Sequence, residues 1–403
     1  MTLYHRLSLY ATLLLLFATT TTGNAQSKYE QDFLSFWGNF NDYYPYFDKQ
    51  KIDWNKVKEI YQPQAAAVKD DTGFFRFMDS VLNELHNGHV SLNNNIASSN
   101  RILPSGSDVF AERRGTGIII TDVRQNSGAE LCGLEPGMEV VAFNGKAIAG
   151  QADKFLPKSV TAFTPAMQAY ALNMLLAGTY DTPREITIAD NGTTRTFYPD
   201  KATPAKPAGV LEYKLLANNT AYIKINNSLG DYALIPQFDA AIDKLMDTKA
   251  LILDLTDTPG GGNSTVARAI MGRLTSKELP YQKHVIDEKQ YGTTRSWIEY
   301  VLPRKTAYKK EVVLMVGHWT GSMGEGIAIG LDAMKRAKVT GTKMAGLLGA
   351  VYSFRMPNTN IGYQVPGEKM YHVNGTPRED YIPKYLTKTS RETYVEALRL
   401  VGD

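Results

Sequence analysis

Residues 312–326 read Val-Val-Leu-Met-Val-Gly-His-Trp-Thr-Gly-Ser-Met-Gly-Glu-Gly. The unbroken apolar run Val312 to Val316 predicts a strand buried on both faces. The stretch from Met323 through Ala333 predicts a helix. Ser322 therefore stands among glycines where a buried strand turns into a helix, a place where a strained turn can expose a serine hydroxyl. The motif Gly-x-Ser-x-Gly itself is absent, and a serine at such a junction can also serve as a plain cap or turn residue.

A second junction of the same kind lies upstream. Residues 250–262 read Ala-Leu-Ile-Leu-Asp-Leu-Thr-Asp-Thr-Pro-Gly-Gly-Gly, a buried strand, a glycine turn and then a helix from Asn263 or Ser264. Glycines before a helix leave backbone N–H groups open to an anion or oxyanion, although a tight turn alone explains them as well. No Gly-Lys-Ser/Thr follows, which excludes a Walker phosphate loop. With a strand at Ala221 to Ile225 and a helix at Leu234 to Met246, residues 209–403 alternate strand and helix, the pattern of an α/β catalytic core built on a βαβ sheet.

Four further regions precede this core. Residues 26–100 form an N-terminal helical domain in which Phe33, Phe36, Trp37, Phe40 and Tyr44 recur at helical spacing as a packing stripe. Asp53 caps its second helix, and Gly88 supplies a left-handed stop after its last. Residues 101–200 read as short strands and turns, with hairpin dipeptides at Asn144-Gly145 and Asn191-Gly192. Residues 201–208, Lys-Ala-Thr-Pro-Ala-Lys-Pro-Ala, are a linker. Residues 1–25 have a short basic start, an apolar run of Leu7 to Ala18 and a small-residue tail. This layout predicts a secretory signal cleaved after Ala25 and export to the periplasm. The run falls short of the ~20 residues of a spanning helix, and no later segment is apolar for long enough.

The 403 residues carry 44 Lys+Arg and 41 Asp+Glu, and a net charge of +3 gives no footprint for nucleic acid. A single Cys excludes an intrachain disulfide and Cys-rich metal sites, and no cofactor or metal is implied. Cys132 reads as buried filler. A serine nucleophile needs a base, and His86, His89, His284, His318 and His372 are the candidates in the mature chain. Their spacing does not choose among them.

Four motifs, taken in order, resemble the carboxy-terminal processing peptidase family of serine peptidases, in its branch near the tricorn core and the interphotoreceptor retinoid-binding protein repeats. They are Leu85-His-Asn-Gly-His-Val90, the PDZ-like stretch 126–148, Leu251 to Gly261, and Ser322-Met-Gly-Glu325. The resemblance implies a crotonase-like core sheet, a PDZ-like β-rich domain over residues 101–200, a polypeptide substrate and no cofactor. It assigns Ser322 as nucleophile, His89 as base and Glu379, in Arg378-Glu379-Asp380-Tyr381, as the acid that orients the base. Backbone N–H groups of Gly260 or Gly261 and of Met323 would bind the oxyanion. Gly115, Thr116, Gly117 and Ile118 would hold a substrate carboxylate. Glu325 reads as a first-turn residue favoured by the helix dipole.

The departures from the family pattern are specific. The processing branch carries a catalytic Lys where this chain has Ala345-Gly-Leu-Leu-Gly349, and Lys343 falls at a different point of the motif. Gly88 stands where the tricorn-like branch has a serine that helps orient the Glu. Asp254-Leu-Thr lacks the family's Arg, and Asp257-Thr258 replaces its Asn. The reading is an exported serine endopeptidase cleaving unfolded or C-terminally presented polypeptides. The alternative from another class is a non-catalytic peptide- or ligand-binding relative on the same scaffold. Oligomeric state is not legible in the sequence.

Overall fold

The computed structural model describes residues 26–402, so the predicted signal at 1–25 lies outside the described residues. Ser27, Asp53 and Asp70 each accept the backbone N–H three residues on. They cap α1 (Lys28–Tyr43), α3 (Trp54–Ala67) and α4 (Asp71–Leu82), with a short α2 (Phe47–Gln50) after α1. Phe33, Phe36 and Phe40 on α1 meet Trp54, Val57, Tyr61, Phe74 and Met78 in one aromatic core. Each such side chain contributes about 1.5–3 kcal/mol by leaving water. The left-handed residue after this body is His86 (φ 28°), and Gly88 is not in that region. Gly88 is small for another reason: a Cβ there would run into the Leu103 carbonyl.

The middle of the chain opens with a hairpin of β1 (Val109–Arg114) and β2 (Gly117–Val123), followed by the single turn α5 (Gly128–Leu131). Next come β3 (Val140–Phe143), β4 (Lys146–Ala147), α6 (Pro165–Ala177), β5 (Ile186–Asp190) and β6 (Thr193–Phe197), with sheet order β4-β3-β5-β6. Asn144, Gly145, Asn191 and Gly192 all take positive φ, as two-residue hairpin turns require. The expectation of short strands and turns misses α6. That helix is apolar nearly all round and buried through Ala171–Ala177, so it shows no helical period. Cys132 is half-buried, not buried.

The core sheet comprises β7 (Leu211–Leu216), β8 (Thr220–Ile225), β9 (Ala250–Asp254), β12 (Glu311–Val316), β13 (Lys338–Gly341) and β16 (Tyr385–Leu386), in the order β16-β13-β12-β9-β8-β7. All neighbours are parallel except β7 with β8. One face packs on α7 (Leu234–Lys244), α8 (Ser264–Gly272) and α9 (Met323–Ala333), and the other on α10 (Ser390–Leu400). Leu251 and Leu253 face the first cluster while Ala250 and Ile252 face the second, the period of two expected of a doubly covered strand. The simple alternation expected from residue 209 onward is interrupted. β10 (Leu279–Glu288), β11 (Thr293–Val301), β14 (Ala350–Arg355) and β15 (Gly362–Tyr371) form a separate antiparallel sheet, ordered β11-β10-β15-β14. Tyr363 and Val365 of that sheet complete the aromatic core of the helical body. The Asp32 carboxylate accepts the Asn358 and Thr359 amides at 2.8 Å each, fastening α1 to the β14–β15 turn. No helix among the described residues is long and apolar enough to cross a membrane.

Candidate active site

The chain leaves β12 through Gly317–Gly321 and reaches Ser322 at φ 53°, ψ −114°. A non-glycine residue in such backbone stores on the order of 1–3 kcal/mol of strain, and the surroundings hold it there. Thr320 Oγ1 donates to the Leu255 carbonyl at 2.8 Å and accepts the Gly317 amide at 2.9 Å. A Cβ on Gly321 would lie 2.8 Å from the Pro259 oxygen and 3.0 Å from Leu347 Cδ1.

The glycine turn after β9 lies directly against this elbow. Gly261 sits at φ +63°, and a Cβ there would lie 2.7 Å from Ser322 Oγ. Only glycine therefore fits, for backbone and contact alike. The Gly260 amide already donates to Asn227 Oδ1 at 2.7 Å. The Gly261 and Met323 amides have no acceptor among the described residues. Bracing that the sequence leaves open comes from other residues. Asp254 accepts Thr256 N at 2.8 Å and the Tyr222 hydroxyl at 2.5 Å, while Asp257 receives Arg124 Nε at 2.6 Å from the middle body.

The base side is built differently. His89 is buried, and its Nδ1 lies 2.7 Å from the Leu348 carbonyl oxygen. A carbonyl only accepts, so Nδ1 carries the proton and Nε2 keeps its lone pair in the neutral ring. Burial, with the Arg378 guanidinium nearby, pushes His89 down to about 4, so it is neutral at pH 7. Between the Gly88 backbone and the elbow stands Leu347. Its two methyls lie 3.1 and 3.0 Å from where Cβ atoms of Gly88 and Gly321 would be. Glu379 lies in the 378–380 turn with one oxygen 2.7 Å from Lys49 Nζ. Its other oxygen is buried without a partner. The structure thus brings Ser322, Gly261 and Met323 together, sets His89 on the Leu348 carbonyl, and ties Glu379 to Lys49.

The other histidines have their own partners. His318 stacks on Phe110 at 3.8 Å, and burial beside Lys343 pushes it to about 3. His284 lies between Glu368 and Glu299, and His86 Nδ1 faces the Glu84 carbonyl. His372 Nδ1 accepts the Asn374 amide. Gly115 and Thr116 form the β1–β2 turn and Gly117 and Ile118 open β2, with the Glu139 carboxylate against Gly117. Sequence reasoning missed Glu325, Asn87, Arg378 and Asn227. Glu325 lies in the first turn of α9 as expected, but it is fully buried and bonds the Ser322 amide. Its place in Ser-x-x-Glu was the available signal. The others are joined to the site only through long-range contacts. Among the described residues no group of three or more His, Cys, Asp or Glu is placed to hold a metal.

A strained serine on a strand-to-helix turn, with glycine amides and a neutral imidazole in the same neighbourhood, is suited to acyl transfer. The chain matches the model of Peptidase family S41 over residues 219–383 and that of the Tricorn protease C1 domain over residues 25–83. Its fold is similar to that of mature CPAF, at 14% identity and a TM-score of 0.64 over 93% of this chain and 95% of that one. It is also similar to the photosystem II D1 C-terminal processing protease, at 16% identity and a TM-score of 0.58 over 94% and 98%. The chain is a serine-type peptidase, and it belongs to the carboxy-terminal processing peptidase family.

Proposed function

We propose that this peptidase is an exported endopeptidase cleaving unfolded or C-terminally presented polypeptides through Ser322, His89 and Glu379. The observation that carries the reading is the backbone of Ser322, strained at a strand-to-helix turn with Gly261 against its side chain. His89 Nε2 takes the Ser322 proton as Oγ attacks the peptide carbonyl. The same proton passes to the leaving amine, and water then frees the acyl-enzyme by the reverse path. The Gly261 and Met323 amides receive the oxyanion; one such donor is worth about 3–4 kcal/mol. Glu379 stabilises the imidazolium once it is released from Lys49 and Leu347 withdraws.

We assign the units as 26–100 helical, 101–200 PDZ-like, 201–208 linker and 209–403 crotonase-like core. A groove of about 1220 Å³ between β1 and α6 supports the PDZ-like assignment. β1 pairs with no strand but β2, and on its other edge the Ala111 amide and carbonyl are held by the Asn173 side chain of α6, so in this reading an extended peptide adds along Glu112 to Arg114. Gly115 lies on the groove wall, with Leu156, Val160 and Phe163 as apolar lining. In this reading the Gly115–Ile118 turn receives the substrate carboxylate. The experiment that tests the site is labelling by a serine-directed fluorophosphonate followed by peptide mapping. Label on Ser322, lost in Ser322→Ala, is expected; an unlabelled Ser322 in protein that cleaves casein would overturn it.

A further inference from the structure

We propose that Glu325 is a positioning residue that ties nucleophile to base: one carboxylate oxygen fixes the Ser322 amide, and the other fixes the loop whose Leu348 carbonyl orients His89. The proposal rests on the Ser322–His89 reading above.

Glu325 Oε2 accepts the Ser322 amide at 2.8 Å. Oε1 accepts the Gly346 amide at 2.9 Å and the Leu347 amide at 3.2 Å. The next residue of that loop, Leu348, offers its carbonyl to His89 Nδ1 at 2.7 Å. The path from nucleophile to base therefore runs through one carboxylate and two residues of loop. Two other side chains grip the same loop. Asn87 Oδ1 accepts both the His89 amide at 3.0 Å and the Leu348 amide at 3.3 Å. Arg378 Nη2 donates to the Leu347 and Gly349 carbonyls at 3.0 and 2.7 Å. The loop is the segment where the sequence has Ala345-Gly-Leu-Leu-Gly349 and no Lys.

The arrangement makes a distinctive pH dependence. Burial drives Glu325 up to about 7 against the pull of Arg378, whereas His89 is held near 4. Of the groups packed around Glu325, Arg378 in the 378–380 turn faces it at 4.0 Å. The 86–90 segment brings His89, beside the same guanidinium. β10 brings the uncharged Gln282 against Gly326. As a carboxylate, Glu325 accepts three amides. Once protonated, it presents an O–H to a site made of donors. The clamp therefore holds above about pH 7 and loosens below it, when His89 is still neutral.

The test compares wild type with Glu325→Gln, in peptidase kinetics and in fluorophosphonate labelling of Ser322 from pH 4 to 9. The variant is expected to lose about 100-fold in kcat with KM unchanged, the cost of a misplaced catalytic group. Its pH limb near 7 should move into the acid range of His89. Glu325→Asp keeps the charge but is one methylene short of spanning both partners, and should lose kcat while keeping a limb. An unchanged kcat and an unchanged limb in the Gln variant overturn the proposal. Should neither variant fold, the wild-type labelling profile decides: a limb near 7 supports the clamp and a limb near 4 overturns it. A wild type that cleaves peptides without labelling Ser322 at any pH overturns the underlying site assignment instead.

Discussion

The two halves of the site are held by different kinds of structure. The nucleophile half grows out of the parallel sheet: Ser322 and Gly261 follow adjacent buried strands, and their contact leaves no room for even a methyl group. The base half lies where the helical body meets the antiparallel sheet, and polar contacts to loops hold it. His89 hangs on a carbonyl, Glu379 is tied to an exposed lysine, and a leucine side chain stands in between. Packing makes one half rigid, while exchangeable hydrogen bonds make the other adjustable. Removing either half should abolish the proposed reaction, and the Glu325 carboxylate, bonded to both, carries a change of charge to each.

The largest effect is the bluntest test of that partnership. Ser322→Ala and His89→Ala should each lower kcat/KM by about 10⁴-fold or more with the fold retained. The double variant should lose little beyond either one, since such groups act as a unit. Steady-state kinetics with circular dichroism checks this. An active His89→Ala protein would break the pairing and leave the nucleophile half without its base.

Gly261→Ala comes next and probes the rigid half alone. The new methyl would lie 2.7 Å from Ser322 Oγ, on a residue at φ +63°. A loss of roughly 10²–10³-fold in kcat is expected, the range for losing an oxyanion donor, with Ser322 labelling slowed in parallel. Gly192→Ala, also at positive φ but with open space around it and outside the proposed site, serves as the control for strain alone.

What the sequence made legible follows the same division. β9 and β12 are short and carry unbroken apolar runs, Ala250 to Leu253 and Val312 to Val316, each followed by a glycine-bearing turn, so their burial and the turns after them could be read locally. The same holds for Asn144-Gly145, Asn191-Gly192 and the Asp53 cap, whose chemistry is complete within a few residues. Illegible were elements defined by partners far along the chain. β11 is mostly exposed and polar, and it is a strand because β10 pairs with it. Lys49 meets Glu379 across 330 positions, and Asn87 meets Leu348 across 261. No spacing rule reaches so far. The family resemblance pointed to the proposed site residues without saying what holds each one in place.

Lys49→Met sharpens the comparison by changing only the adjustable half. The Lys49–Glu379 pair spans a half-exposed ammonium and a buried carboxylate, and pairs of this kind are worth about 1 kcal/mol or less. Releasing Glu379 should therefore raise kcat/KM by up to about fivefold. Glu379→Gln in the same background should erase the gain. No gain at all in Lys49→Met, together with an inert Glu379→Gln, would remove Glu379 from the proposed triad and leave the Leu348 carbonyl as the sole orienter of His89.

The smallest effect concerns the sheet that carries the base half. His284 on β10 lies with Nδ1 2.8 Å from Glu368 on β15 and Nε2 3.6 Å from Glu299 on β11, under the Trp297 ring. Burial pulls its affinity for a proton down, but the two carboxylates outweigh burial and raise it above its ordinary value. A group raised on folding stabilises fully below its unfolded pKa, about 6.5 for histidine. That contribution fades as pH climbs through the higher folded value. Wild type should thus lose thermal stability on going from pH 6 to pH 9, by roughly 2 °C for one such group. His284→Gln loses the ring stacking at every pH, a constant offset, and should lack the pH-dependent part. The gap in Tm between wild type and variant should therefore be widest at pH 6 and narrow toward pH 9, in scans above pH 5 where Glu299, held near 2 chiefly by His284, stays ionised. A gap that widens with pH would mean that His284 is neutral in the folded protein and that packing, not charge, holds this sheet together.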